Sequence, residues 1–418
     1  MTWVPLPLQR LAVGQVVPVD VVSPQGRLLL RRGQALANED HRAMLAAHHA
    51  QISESDAQAW EKASARWWRN HPQATPGLAP HQAPLPPEIL DADYLDGRPV
   101  AGGWLDVQEV LRSLLYLGLD ADQPVARLEG IEQRMLQLLA HDADDALFVL
   151  FQALGDLNLG YCATHALLAG TVGWLAVRKR PDAPVDAALL LRATLTMNLG
   201  MARPQDSLSR QHKPPNAAQR LIIEQHPPTS ADMLTQLGLH DDALLALVQH
   251  HHQPQRASQD LGLQPVLPLL HLTDTLVAKL APRASRPALS ALEATRHLLQ
   301  QPPAPGDWGP ALASVLGFYP PGTWVKLANG ETAVVIQRGR RAHTPHVASV
   351  TDGAGLPLAR YLYRSTDVER SHPHAVAAAL RGDAVPIRVN RDKVHRIRVQ
   401  QGLTPDQMFP LRAVLSTP

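Results

Sequence analysis

The chain has 418 residues and a formal net charge of +1, so no cationic excess points to nucleic acid as its main partner. Hydrophobic residues make up 45%, enough for packed cores, and at ~100–200 residues per domain about two to four domains are expected. The single cysteine, Cys162, excludes an internal disulfide framework and suits a reducing compartment.

The opening stretch MTWVPLPLQRLAVGQ lacks a basic segment followed by a long apolar run, so it does not read as an export signal. The apolar stretch AALLLRATLTMNLGM is interrupted by Arg192 and falls short of the ~18 residues of a spanning helix. A cytoplasmic protein without membrane insertion is expected. Residues 1–60 read as a small β-rich module. Its β-branched runs flank SPQG, a hairpin turn, and Asn38 then stands as the N-cap of a helix. Residues 61–102 read as a linker, because HPQATPGLAPHQAPLPP is rich in proline and polar residues. Trp67-Trp68 beside it reads either as a docking anchor or as an exposed interaction patch.

Residues 103–316 follow the helical period throughout, and roughly ten helices are expected there. Asp142, Asp241 and Ser230 sit where N-caps belong, and Gly238 where a helix would close. Residues 317–418 change texture. Apolar residues alternate on both sides of Asn329-Gly330, a hairpin signal, and HVASVTD and VPIRVNRDKVHRIRV continue the β character, with 360–384 left unassigned. The basic QRGRR reads as a solvated hairpin rim, with phosphate binding the weaker alternative. The fold class expected is mainly α: an all-helical core flanked by small β-rich N- and C-terminal modules.

Candidate chemistry lies in the helical region. Imidazole is the commonest metal ligand among side chains, and His165, His226 and the run His250–His252 are spread along it with Asp274. Metal phosphohydrolases of the all-helical kind gather such ligands from several helices, so that divalent ions polarise a phosphoryl oxygen and activate water. Each residue also has a structural reading. His165 on an apolar helix reads first as a hydrogen-bonded core histidine rather than a ligand. His226 before Pro227 reads as a helix-boundary residue, and His252 as facing solvent. His250 and His251 diverge by about 100° on a helix and reach one site together only near its end. Asp274, on an apolar segment, needs a partner, as a ligand or in a structural hydrogen bond.

The order and context of these residues resemble the HD-GYP family of bacterial cyclic di-GMP phosphodiesterases. YCATHALLAG is similar to the helix bearing the family's first histidine, here His165, and IIEQHPPTSADML to its histidine-proline segment, with His226. LLALVQHHHQP matches the start of the family's HHE motif, with His250 and His251, and LLHLTDTLVAKL resembles the helix with its last aspartate, Asp274. The flanking VVSPQGRLLLRRGQAL and LGFYPPGTWVKLANGETAVV resemble extensions found in family members, so the likeness runs from residue 8 to about 350.

Two departures stand out. Where the family has LLHDIGK the chain has LTMNLGM, so Met197-Asn198 replace the His-Asp pair. In the alignment on His250 and His251, the glutamate of HHE is His252 and the Gly-Tyr-Pro loop is missing. A thioether and an uncharged amide are poor substitutes for an imidazole and a bridging carboxylate. The resemblance therefore implies a degenerate, catalytically inactive signalling or scaffold protein with a vestigial set His165, Asn198, His226, His250, His251 and Asp274. No cofactor is expected on that reading; its alternative is a divalent metal, manganese or iron, supporting weak hydrolysis of cyclic di-GMP. Cyclic di-GMP and a signalling protein are the partners implied. A third reading is an interaction module without any ligand.

Overall fold

The computed structural model describes residues 2–70, 100–258, 263–264, 266–300 and 307–404. The chain divides into two compact units, one N-terminal and one beginning at residue 100. The Pro-rich stretch at 71–87 lies outside the described residues.

The N-terminal unit is an antiparallel sheet in the order β1-β4-β2-β3, from β1 (Trp3–Pro5), β2 (Val21–Val22), β3 (Leu28–Leu30) and β4 (Gln51–Ser53). β2 and β3 form the hairpin expected around SPQG. Helix α1 (Glu39–Ala47) starts at Asn38, whose Oδ1 accepts from the His41 amide at 2.8 Å. Helix α2 (Glu54–Asn70) runs past residue 60, because Trp60 and Ala63 point into the same core as Val17, Val19, Leu36 and Ile52.

The second unit is mainly α. Its helices are α3 (Trp104–Leu117), α4 (Pro124–His141), α5 (Ala143–Leu154), α6 (Tyr161–Lys179), α7 (Ala187–Thr196) and α8 (Ala202–Arg210). They continue with α9 (Ala217–Gln236), α10 (Asp242–His250), α11 (Leu267–Leu280), α12 (Ala291–Leu299) and α13 (Gly309–Leu316). α6 is the central rod, with every residue from Tyr161 to Gly173 buried, and it packs on α5, α7, α11 and α13. Small residues let α7 approach it. A Cβ on Gly170 would lie 2.8 Å from Thr194 Oγ1 and 2.9 Å from Leu191 Cδ1, so any larger residue there would displace those α7 side chains.

The sequence placed two helices between residues 217 and 238; the structure has one, α9, with Pro227 and Pro228 inside it. Ser230 is accordingly no N-cap. It is buried, and its Oγ accepts from the Gly200 amide at 2.9 Å. Asp142 and Asp241 do cap α5 and α10, and Gly238, at φ +92°, closes α9.

The C-terminal part is an antiparallel sheet of order β8-β7-β6-β5-β9, from β5 (Trp324–Leu327), β6 (Thr332–Gln337), β7 (His346–Thr351), β8 (Pro357–Ser365) and β9 (Val376–Leu380), followed by α14 (Arg391–Gln400). The turn between β5 and β6 carries Gly330 at φ +86°. Three acids at the N-terminus of α5, the cap Asp142 and the first-turn Asp144 and Asp145, fasten this part to the helices. Asp142 pairs with Arg398 at 3.0 Å, Asp144 with Arg338 at 2.6 Å and Asp145 with Arg391 at 2.8 Å. Carboxylates there also suit the positive end of the helix. No described helix is long and apolar enough to cross a membrane.

Within the sheet, Arg364 grips Glu331 with two hydrogen bonds, of 3.0 and 2.7 Å, and Ser349 Oγ donates to the same carboxylate. The Arg364 hydrogen bonds hold the Glu331 carboxyl down at about 2, against the opposing effect of burial. A carboxyl depressed on folding adds stability above its unfolded value near 4.5, and that contribution fades as pH falls from there toward 2. Glu331→Gln is expected to lower unfolding stability by about 1–3 kcal/mol at neutral pH. The difference from wild type should shrink below pH 4 in urea melts, and an equal difference at pH 3 and pH 7 would show that the charge contributes nothing.

Candidate metal centre

The histidine cluster starts from missing backbone hydrogen bonds. Inside α9, Pro227 has no N–H, so the Ile223 carbonyl four residues back loses its helical donor. His226 fills that gap: its Nδ1 donates to Ile223 O at 2.6 Å. α10 ends at His250, which leaves its last carbonyls without helical donors, and His251 Nδ1 donates to Val248 O at 2.7 Å. His271, on α11, donates from Nδ1 to the His251 carbonyl at 2.9 Å.

A carbonyl oxygen only accepts, so both rings carry their proton on Nδ1 and present an unprotonated Nε2. These two Nε2 atoms face each other at 3.2 Å. Burial pushes His226 down to about 4 and His251 to about 3, so neither ring gains a second proton near neutrality. Neither Nε2 can donate to the other. Two opposed lone pairs in a buried place are positioned to share a cation between them. With metal–nitrogen bonds of about 2.0–2.1 Å, two ligands of one tetrahedral ion lie about 3.3 Å apart, close to the spacing seen.

His252 completes a group of three, its ring centroid 4.1 Å from that of His251 and 5.1 Å from that of His226. One ligand atom from each of His226, His251 and His252 lies within 4.8 Å of the others. His252 is the accessible member, its side chain 45% exposed. Burial again lowers its basicity.

Asp274, on α11, flanks the group. Its Oδ2 lies 3.8 Å from His252 Nδ1, and its Oδ1 accepts from His165 Nε2 at 2.8 Å. Since His165 donates from Nε2, its Nδ1 accepts the Tyr161 hydroxyl at 3.0 Å. Burial raises Tyr161, which keeps its proton, and would raise Asp274 too. The hydrogen bond from His165 and the neighbouring imidazoles outweigh that, and the Asp274 carboxyl is held below its ordinary range.

The structure thus brings together His226, His251 and Asp274 of the expected set, and His165 through Asp274. It leaves out His250 and brings in His252, so the pairing shifts by one residue. His250 is the last helical residue, and His251 and His252 lie in the turn that follows it. The residue after the histidine pair is therefore Gln253, where the resemblance has glutamate. His226 is likewise inside a helix rather than at its boundary.

Met197 and Asn198 are not in the histidine group. Met197 is fully buried, and the buried Asn198 has an Nδ2 without a hydrogen-bond partner among the described residues. Their segment still borders the site. A Cβ on Gly200 would come within 3.1 Å of the His226 carbonyl and 3.0 Å of Thr229. Sequence reasoning passed over Tyr161 and His271. Tyr161 stands four residues before His165, one helical turn, which is a readable signal; His271 acts through a backbone carbonyl and offers none.

No protein-family model matches the chain, and no curated protein does. Among solved structures it is similar to Bd1817, an HDG"Y"P protein from Bdellovibrio bacteriovorus, at 13% identity and a TM-score of 0.37. The match covers 75% of this chain and 99% of that one. A likeness of that size does not establish a common fold.

Pro227→Ala tests how His226 is held. Restoring the amide should raise stability by about 1–2 kcal/mol, the gain in helix propensity less the loss of a stiffened unfolded chain. It should also take the Ile223 carbonyl from His226 and move the ring proton toward Nε2. Nitrogen-15 NMR of the ring reads the tautomer; an unchanged Nδ1–H form in the variant would refute this account.

Proposed function

We propose that this chain is a regulatory protein of HD-GYP type whose helical unit holds a single divalent ion and does not run two-ion hydrolysis of cyclic di-GMP. The observation that carries the reading is the pair of opposed, unprotonated Nε2 atoms of His226 and His251. Both rings are fixed by Nδ1–H bonds to backbone carbonyls, the usual second partner of a metal-bound imidazole. When bound, the ion supplies positive charge able to hold an anionic oxygen or polarise it.

The residues present fit one ion of the borderline class, for which imidazole nitrogen is a good ligand. They do not fit two. The resemblance puts a bridging carboxylate at Asn198, which carries no charge, and an imidazole at Met197, a buried thioether. Asp274 is already engaged by His165. The chain's own residues then position and orient: Tyr161 and His165 fix the Asp274 carboxylate, and His252 stands at the solvent side. Cyclic di-GMP or a signalling protein is the partner this reading implies.

Metal analysis after dialysis against manganese, iron or zinc should find about one ion per chain. His251→Ala should abolish that binding, and His250→Ala should leave it intact. Loss on His250→Ala with retention on His251→Ala would reverse the assignment. Turnover of cyclic di-GMP near the ordinary ~1–10 per second would overturn the non-hydrolytic part.

Met197→His together with Asn198→Asp restores an imidazole and a carboxylate beside the segment that borders His226. Metal affinity should rise by tenfold or more, with Asn198→Asp alone giving a smaller gain. Added metal should then raise the melting temperature by mass action, while the metal-free double variant melts lower because a buried unpaired carboxylate is costly. Calorimetric titration with manganese decides it. Equal affinities in double variant and wild type would show that these positions do not face the histidines.

A further inference from the structure

The second unit also holds a cleft of about 830 Å³ with no histidine among its described lining residues. Its walls are the end of α5 with the turn after it, the segment joining α11 to α12, and edge strand β9 with the chain that follows. Its size falls in the ~300–1,000 Å³ range of small-molecule sites.

The charge of the walls is one-sided. Arg283 and Arg286 come from the α11–α12 segment and Arg388 from the chain after β9. Among the described residues, one carboxylate lines the cleft, Asp156, whose Oδ1 accepts from the Asn158 amide at 3.1 Å. No lysine is among the described lining residues. Guanidinium forks match phosphate oxygens in pairs, which an ammonium does not. Part of the array is held in place: Arg286 donates from Nη2 to the Ala278 carbonyl at 2.6 Å, and the Arg283 guanidinium lies 5.6 Å from the centre of the Tyr161 ring.

The cleft also has an aromatic lining. Phe151, Phe318 and Tyr319 are half-buried, so each is anchored and still shows ring surface. Apolar rings alone would suit any greasy ligand, and arginines alone any anion. Together they suit a ligand carrying both phosphate and a flat aromatic group.

We propose that this cleft is a nucleotide-binding site, separate from the histidine centre, with the arginines on the phosphates and the rings against the base. Calorimetric titration of chelator-treated full-length protein with GTP and with inorganic pyrophosphate tests it. GTP should bind at micromolar concentration and at least tenfold more tightly than pyrophosphate. Arg388→Gln and Arg286→Gln should each weaken both ligands about tenfold, since a charge-assisted hydrogen bond is lost. Phe151→Leu should weaken GTP and leave pyrophosphate unchanged. His226→Ala should leave GTP binding intact, which separates this site from the metal reading. Arg388→Lys keeps the charge without the fork and should fall between wild type and Arg388→Gln, a check if a glutamine variant folds poorly. No GTP binding at millimolar concentration, binding indifferent to the arginines, equal affinity for pyrophosphate, or loss on His226→Ala would each overturn the proposal.

Discussion

Two carbonyl oxygens without helical donors, those of Ile223 and Val248, govern the geometry of the histidine centre. One is freed by a proline inside α9 and the other by the end of α10. A buried carbonyl without a donor is costly. In each case the imidazole three residues on supplies the donor, at 2.6 and 2.7 Å. The same bond that satisfies the backbone fixes the tautomer, and the tautomer turns a lone pair toward the neighbouring ring. Backbone geometry here decides what the side chains can bind.

That mechanism also explains what was legible in the sequence and what was not. Helix starts were readable because Asn38, Asp142 and Asp241 carry their own acceptor oxygen to the orphan amides. The hairpins were readable from Ser23–Gly26 and Asn329-Gly330. The proline pair at 227–228 misled, because proline ordinarily ends a helix, and only a side chain folding back on its own turn allows α9 to continue. His226, His251 and Asp274 could be named from the ordered series of motifs. Choosing two of three consecutive histidines could not be done in one dimension. It depends on the residue at which α10 stops, and helix ends are set by packing as much as by local sequence.

The restraints on the second unit come from outside the histidine centre. Three ion pairs from the N-cap and first turn of α5 fasten Arg338, Arg391 and Arg398. Arg398 is almost fully buried, so its partner Asp142 acts both as helix cap and as counter-charge. Such pairs contribute specificity of docking more surely than net stability, because desolvation offsets much of the attraction. They hold the sheet and the helices as one body, and the arginine-lined cleft lies where those two layers meet.

Charge decides how many ions the histidine centre can hold. Asp274 is the carboxylate that bears on all three imidazoles, lifting the basicity of each against burial. Three neutral imidazoles and one carboxylate leave a bound dication with a residual charge of about +1, which water or an anionic ligand at the exposed His252 side can screen. A second dication would raise the residue to about +3 in a site walled by buried side chains, with nothing at Asn198 to offset it. Desolvation at that charge exceeds what neutral nitrogen ligands return. On the proposed reading, the uncharged amide of Asn198 and the thioether of Met197 therefore favour one ion over two, while the histidine bonds to the backbone do not depend on either residue.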